Sequence, residues 1–137
     1  MSTLSTLAII VLAELFGASL WFSANAVADA LHVAWGLTPV ELGHLTSAVQ
    51  FGFISGTLGF SLSGLADRYS ASRIFAVCAV LGAIANAAFA LSGGLTDALV
   101  FRFITGLALA GVYPIGMKLV VTWAPEKAGN VLGWLVG

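Results

Sequence analysis

The stretch Phe75-Ala76-Val77-Cys78-Ala79-Val80-Leu81-Gly82-Ala83-Ile84-Ala85 is apolar on every side. A membrane-spanning strand alternates polar and apolar residues over ~10 positions. This segment does not alternate, and neither does Leu7–Ala13. A helix crossing the bilayer needs about 20 mostly apolar residues. Residues 74–96 carry no charge, so Phe75–Ala85 lies inside a window of that length. The same pattern recurs on both sides of it. Residues 42–66 are uncharged, residues 1–28 hold one charge, Glu14, and residues 98–117 hold one, Arg102. The reading is an all-α, polytopic transmembrane bundle with spans at 5–28, 42–66, 72–92 and 98–121.

Composition agrees. Only 8% of the 137 residues are charged, against roughly 25% in an ordinary soluble domain. The hydrophobic set makes up 60%, with 16 glycines besides, more apolar surface than a soluble core of this size can bury. Disorder is excluded because the chain is neither polar nor strongly charged. The net charge of −1 and the lack of a basic run exclude nucleic acid as a partner. The single cysteine, Cys78, excludes an internal disulfide and reads as an apolar filler.

A fifth uncharged segment, 128–137, covers about 15 Å as a helix, half a bilayer. It reads as the start of a fifth span, and residues 1–137 as the N-terminal portion of a longer domain that could not transport alone. Met1 reads as the true start. A cleaved signal peptide does not fit, because no Lys or Arg precedes the long apolar stretch. Arg68 and Arg73 lie in the loop 67–73, and Lys118 and Lys127 in 118–127, whereas 29–41 and 92–97 hold neither residue type. Positive residues favour the cytoplasm. The expected location is a bacterial-type inner membrane with the N-terminus cytoplasmic and 29–41 outside. Trp35 and Trp123 fall at the interfaces, whereas Trp21 falls within the first span.

Small residues mark packing faces. Gly52, Gly56 and Gly64, with Phe60 between them, recur every four residues in the second span, beside Ser55, Gly59 and Ser63. Gly106, Ala110, Gly111 and Gly116 repeat the theme in the fourth. Such spacing lets helix backbones approach closely. Pro114 predicts a kink near Ala110–Pro114, either a packing bend or a rocking point.

Glu14 and Arg102 are charges at membrane depth. Each costs at least ~2.5 kcal/mol on insertion scales and needs a partner or a water-filled cavity. At 100° per residue, Glu14, Gly17, Ala18, Trp21 and Asn25 share one face of the first helix. Arg102, Thr105, Gly106, Leu109 and Tyr113 share one face of the fourth. The polar ends of both stripes are eleven residues apart. In antiparallel helices this places Glu14 level with Tyr113 and Asn25 level with Arg102, along one aqueous cavity. A carboxyl group at that depth can carry a proton. Arg102 reads either as part of the cavity or as a fork tying helices together through carbonyls. Gln50 lines the cavity or bonds between helices. Asn86 reads as packing, and His32 and His44 as solvated.

Catalytic readings fail. Gly59-Phe60-Ser61 faintly resembles the start of an intramembrane serine protease, but no histidine follows it. There is no metal spacing, phosphate loop or carboxylate pair. The chain reads as no enzyme, with no cofactor and no metal.

The loop Ser63-Gly64-Leu65-Ala66-Asp67-Arg68-Tyr69-Ser70-Ala71-Ser72-Arg73 resembles the signature between the second and third helices of the major facilitator superfamily, Gly-x-Leu-Ala-Asp-Arg-x-Gly-Arg-Lys-Arg. Ser63 and Ser70 replace glycines, and Ala71 and Ser72 replace basic positions. Arg102-Phe103-Ile104-Thr105-Gly106 resembles the family's fourth-helix Arg-x-x-Gln-Gly, with Thr105 for glutamine. Pro125-Glu126-Lys127-Ala128-Gly129-Asn130-Val131-Leu132-Gly133 resembles its turn into the fifth helix. The resemblance implies the N-terminal six-helix half of a twelve-helix transporter, each half an inverted repeat. It implies a small-molecule substrate moved by alternating access, usually with protons. It implies a central cavity lined by the first and fourth helices and a cytoplasmic gate at Asp67, Arg68 and Arg73 that meets the missing C-terminal helices. Two other readings stand beside it. One is a four-helix proton antiporter of the small multidrug resistance type. The other is a membrane scaffold without a cavity, in which Glu14 and Arg102 are both capped by neighbours.

Overall fold

The computed structural model describes residues 3–136. The expectations that rest on Met1 as start and Gly137 as end lie outside the described residues. All regular structure among the described residues is helical. The first span joins α1 (Thr3–Ser19), a 3-10 turn (Leu20–Phe22) and α2 (Ser23–Ala26), and the chain runs on into α3 (Ala28–Trp35). The second span is α4 (Pro39–Ser63), followed by the short α5 (Leu65–Arg68). The third is α6 (Ala71–Ala90). The fourth is split into α7 (Leu95–Leu109) and α8 (Tyr113–Trp123). A 3-10 turn (Pro125–Lys127) leads into α9 (Ala128–Val136). Four helical stretches are long and apolar enough to cross a membrane: Ser5–Ala26, Pro39–Ser63, Ala71–Ala90 and Leu95–Trp123. This is a multi-pass membrane protein.

One expectation needs correcting. Residues 29–41 were expected as an outer loop, yet α3 occupies most of them. The helix resumes after a distorted Val27 (φ −114°, ψ 15°) and stops at Gly36, whose φ of +65° is left-handed. Thr38 then caps α4: its hydroxyl accepts from the Glu41 N–H, while the Glu41 carboxylate accepts from the Thr38 N–H at 2.8 Å. This reciprocal cap, with Pro39 at the first turn, satisfies two of the helix's free donors. It starts the second span three residues before the expected 42.

The tightest contact joins α4 and α7. A Cβ on Gly52 would strike the Phe103 carbonyl, and one on Gly106 the Val49 carbonyl. A Cβ on Gly56 would lie 2.8 Å from the Leu107 carbonyl oxygen. The small-residue stripes of the second and fourth spans therefore meet backbone to backbone. Gly106→Ala should cost about 1–3 kcal/mol, the usual range for overpacking, and more if the backbones cannot part. A thermal melt in detergent that matches the native protein would show that the contact gives way freely.

The fourth span bends where Pro114 predicts. The N–H groups of Gly111 and Val112 bond to Ala108 and Leu109, three residues back, each at 3.0 Å. Pro114 has no N–H, and its ring displaces the carbonyl four residues earlier. Gly111 sits at the bend because a Cβ there would strike the Cys78 sulfur and approach the Phe60 ring.

Candidate functional site

In the first span, the hydroxyls of Ser19 and Ser23 bond back to the Phe16 and Leu20 carbonyls, at 2.6 and 3.0 Å. Such back-bonding bends helices, and here the chain tightens into the 3-10 turn at Leu20–Phe22. Arg102, on α7, reaches that turn. Its guanidinium donates to the Leu20 carbonyl at 2.8 Å, to the Trp21 carbonyl at 2.5 Å and to the Ser23 hydroxyl at 2.8 Å. The single Ser23 hydroxyl proton is shared between the Leu20 carbonyl and Asn86 Oδ1 on α6, the latter 2.6 Å away, and the Phe89 ring lies 5.6 Å from the guanidinium carbon. Arg102 is fully buried. One side chain thus ties the first, third and fourth spans together.

Glu14 stands apart from this network. It is 1% exposed, and neither carboxylate oxygen has a hydrogen-bond partner. Gly116 of α8 makes room for it, since a Cβ there would overlap the carboxylate. One turn further on, Gly17 abuts Val112. The first and fourth spans are neighbours, but at a different register from the one expected. Glu14 lies against Gly116, not Tyr113, a slip of three residues or ~4.5 Å. Arg102 binds at 20–23, short of Asn25. The two charges sit at separate levels along the first span. Glu14 and the carbonyls that hold Arg102 are six or seven residues apart on the first span, ~10 Å.

The remaining expected residues scatter around these two centres. The Trp21 ring packs edge-on against Phe53, their centroids 5.1 Å apart. Asn25 is exposed and accepts from the Thr46 hydroxyl at 3.3 Å. These two residues line a 250 Å³ cavity with Ala24, Ala28, Leu42 and Gly43. Gln50 is exposed, one turn below Thr46. Tyr113 is half-buried at the head of α8. At the other end of the bundle, Lys118 donates to Asp67 at 3.2 Å and to the Ala66 carbonyl at 3.0 Å. Arg68 and Arg73 are exposed nearby in the sequence. Among the described residues, no cluster of His, Cys, Asp and Glu could hold a metal.

Ser23 and Thr46 were not singled out from sequence, and Asn86 was read as packing. A serine in a span carries no distinctive signal. What gives Ser23 its place is the turn that aims two carbonyls at Arg102.

The family model of the Major Facilitator Superfamily matches residues 5–137. The chain belongs to the major facilitator superfamily. It is similar to the niacin transporter of Acinetobacter baylyi, 39% identical over 74% of this chain and 25% of that protein. It is similar to the 4-hydroxybenzoate transporter of Pseudomonas aeruginosa, 34% identical over 77% of this chain and 23% of that protein. It is also similar to the benzoate transport protein of Acinetobacter baylyi, 32% identical over 68% of this chain and 21% of that protein. The chain spans about a quarter of the length of the curated relatives it matches. No solved structure matches it. Facilitator membership decides against the small multidrug resistance reading.

Proposed function

We propose that the chain is part of a secondary active transporter that moves a small aromatic carboxylate by alternating access, coupled to protons. The observation that carries the proton coupling is Glu14, a carboxyl group buried within a span and left without a partner. Arg102, equally deep, has its two terminal nitrogens engaged by helix carbonyls and a hydroxyl. An intramembrane ionisable group is expensive and is kept where it serves a transport path. A scaffold would cap both charges; here the two terminal nitrogens of Arg102 are capped, while its Nε and both oxygens of Glu14 have no partner. The relatives named above carry niacin, 4-hydroxybenzoate and benzoate, each a ring bearing a carboxylate, which supports that substrate class.

In this reading Arg102 is a positioning residue that fixes the bend of the first span, and Glu14 is the proton carrier. Asn25, Gln50, Trp21 and Tyr113 line the solute path. Asp67, Arg68 and Arg73 form the gate at the cytoplasmic face of an inner membrane, with the N-terminus on that side. The positive-inside distribution of Lys and Arg supports this orientation. The other partners are the lipid bilayer and the rest of the transporter. Exposed apolar side chains such as Phe16, Phe51 and Leu62 are available to both.

The test is uptake of labelled nicotinate and benzoate by the whole transporter in liposomes. Accumulation is expected with an imposed proton gradient and only equilibration without one. Identical uptake under both conditions overturns the coupling. Asp67→Asn removes a pair whose members are 46% and 86% exposed and which is worth ~0–1 kcal/mol to folding. It should slow transport while leaving the amount of protein in the membrane near normal. A loss of protein instead would give the loop a folding or topology role.

A further inference from the structure

We propose that the groove between the second, third and fourth spans holds one anionic phospholipid, its headgroup on Arg73 and an acyl chain along the third span. Two hollows make the groove. One, of 440 Å³, lies between Phe60 of the second span, Cys78, Leu81 and Ile84 of the third, and Ile104 and Leu107 of the fourth. The other, of 240 Å³, lies between Phe60, Leu65, Tyr69, Arg73, Val77 and Cys78. Phe60 and Cys78 line both, so the hollows join there. Both side chains close on Gly111, so a lipid in the groove lies against the residues that back the bend of the fourth span. The groove is separate from the solute path proposed above.

Helix geometry sets its length. At 100° per residue, Arg73, Val77, Leu81, Ile84 and Ala88 fall on one stripe of α6. Val77, Leu81 and Ile84 are each more than half exposed. Arg73 to Ile84 is eleven residues, ~16 Å along the axis. That is about half of the ~30 Å hydrocarbon core, the depth that one acyl chain fills.

The two ends of the groove differ, and the difference selects the occupant. The deep part is lined by apolar side chains alone. Positive charge stands only at the mouth. Arg73 is exposed there, and among the described residues its side chain has no ion pair and no hydrogen bond. Asp67, six residues earlier, is already bonded to Lys118. The start of α6 adds donors beside it. Ser70 makes no side-chain cap bond, and the N–H groups of Ala71 and Ser72 have no partner among the described residues. Free donors at a helix start attract a phosphate, and the arginine fork matches its oxygens. Phosphate alone would leave the groove empty, and a lipid without net charge would leave Arg73 unbalanced. A phosphodiester headgroup carrying an acyl chain answers both ends.

The experiment reads lipid binding, not transport. The whole transporter in detergent is titrated with phosphatidylglycerol or with phosphatidylcholine of the same chains, and bound lipid is counted by native mass spectrometry. The native protein should hold one phosphatidylglycerol about fivefold more tightly than phosphatidylcholine, the worth of one basic residue at a membrane surface. Arg73→Gln should bring the two lipids level, and Arg73→Lys should restore part of the preference. Lys127→Gln removes an exposed cation that lines neither hollow and should change nothing. Val77→Trp puts a large ring into the wall at an already exposed position and should weaken both lipids. Inorganic phosphate should not displace the bound lipid. The proposal is overturned if the native protein does not discriminate between the lipids, if Lys127→Gln costs as much preference as Arg73→Gln, or if inorganic phosphate displaces the lipid. It is overturned equally if Val77→Trp binds both lipids as the native protein does, the result expected when a later span or a second copy of the chain fills the groove.

Discussion

Glu14→Gln in the whole transporter is expected to abolish accumulation of substrate against its gradient while leaving exchange. With one proton moved per substrate, a gradient of one pH unit supports ~10-fold accumulation, and the variant should fall to a ratio of about one. The reasoning is local. Glutamine has nearly the shape of the protonated acid, and the site offers neither oxygen of Glu14 a partner. The amide therefore enters with little change in packing against Gly116. It has no proton to release. Downhill flux and exchange of internal for external substrate need no net proton movement and should continue. The measurement is counterflow beside gradient-driven uptake on the same liposomes. Accumulation that survives would make Glu14 structural and send the proton elsewhere.

Arg102→Ala should destabilise the bundle by about 2–4 kcal/mol. Three donated bonds are lost. Bonds to charged groups are worth up to ~3 kcal/mol each in water-soluble proteins, but interhelical bonds in membranes average nearer ~0.6. The Trp21 carbonyl would lose its Arg102 donor in a dry interior, which adds to the cost, whereas the Leu20 carbonyl keeps its bonds from Ser23. Arg102→Lys should recover only part of it, because a compact ammonium cannot span two carbonyls and a hydroxyl as a planar fork does. Thermal unfolding in detergent orders the three proteins. An alanine variant as stable as the native protein would mean the network contributes nothing to the fold.

Much of the fold was legible because charge is costly in lipid, so eleven charged residues punctuate the spans. The bend at Pro114 and the close approach of the glycine stripes follow from chain geometry alone. The α3 helix was missed because its segment has no uncharged run of spanning length, and such runs were what marked out the helices. Depth was harder to read than direction. Pairing Glu14 with Tyr113 assumed two straight helices, whereas the 3-10 turn at Leu20–Phe22 and the turn at Ala110–Val112 each alter the rise. The resemblance grouped Asp67 with Arg68 and Arg73 in one gate. Only the fold brings Lys118, 51 residues away, to Asp67.

The Arg102 network also bears on how the chain enters the membrane. An arginine at mid-span costs roughly 2.5–3.5 kcal/mol when its helix inserts alone. Its acceptors, Leu20, Trp21 and Ser23, were synthesised 82, 81 and 79 residues earlier. The fourth span is therefore a poor passenger by itself. A first span still nearby, bent and with its carbonyls turned inward, would lower that cost. An early helix whose carbonyls await a late arginine favours ordered assembly over independent insertion.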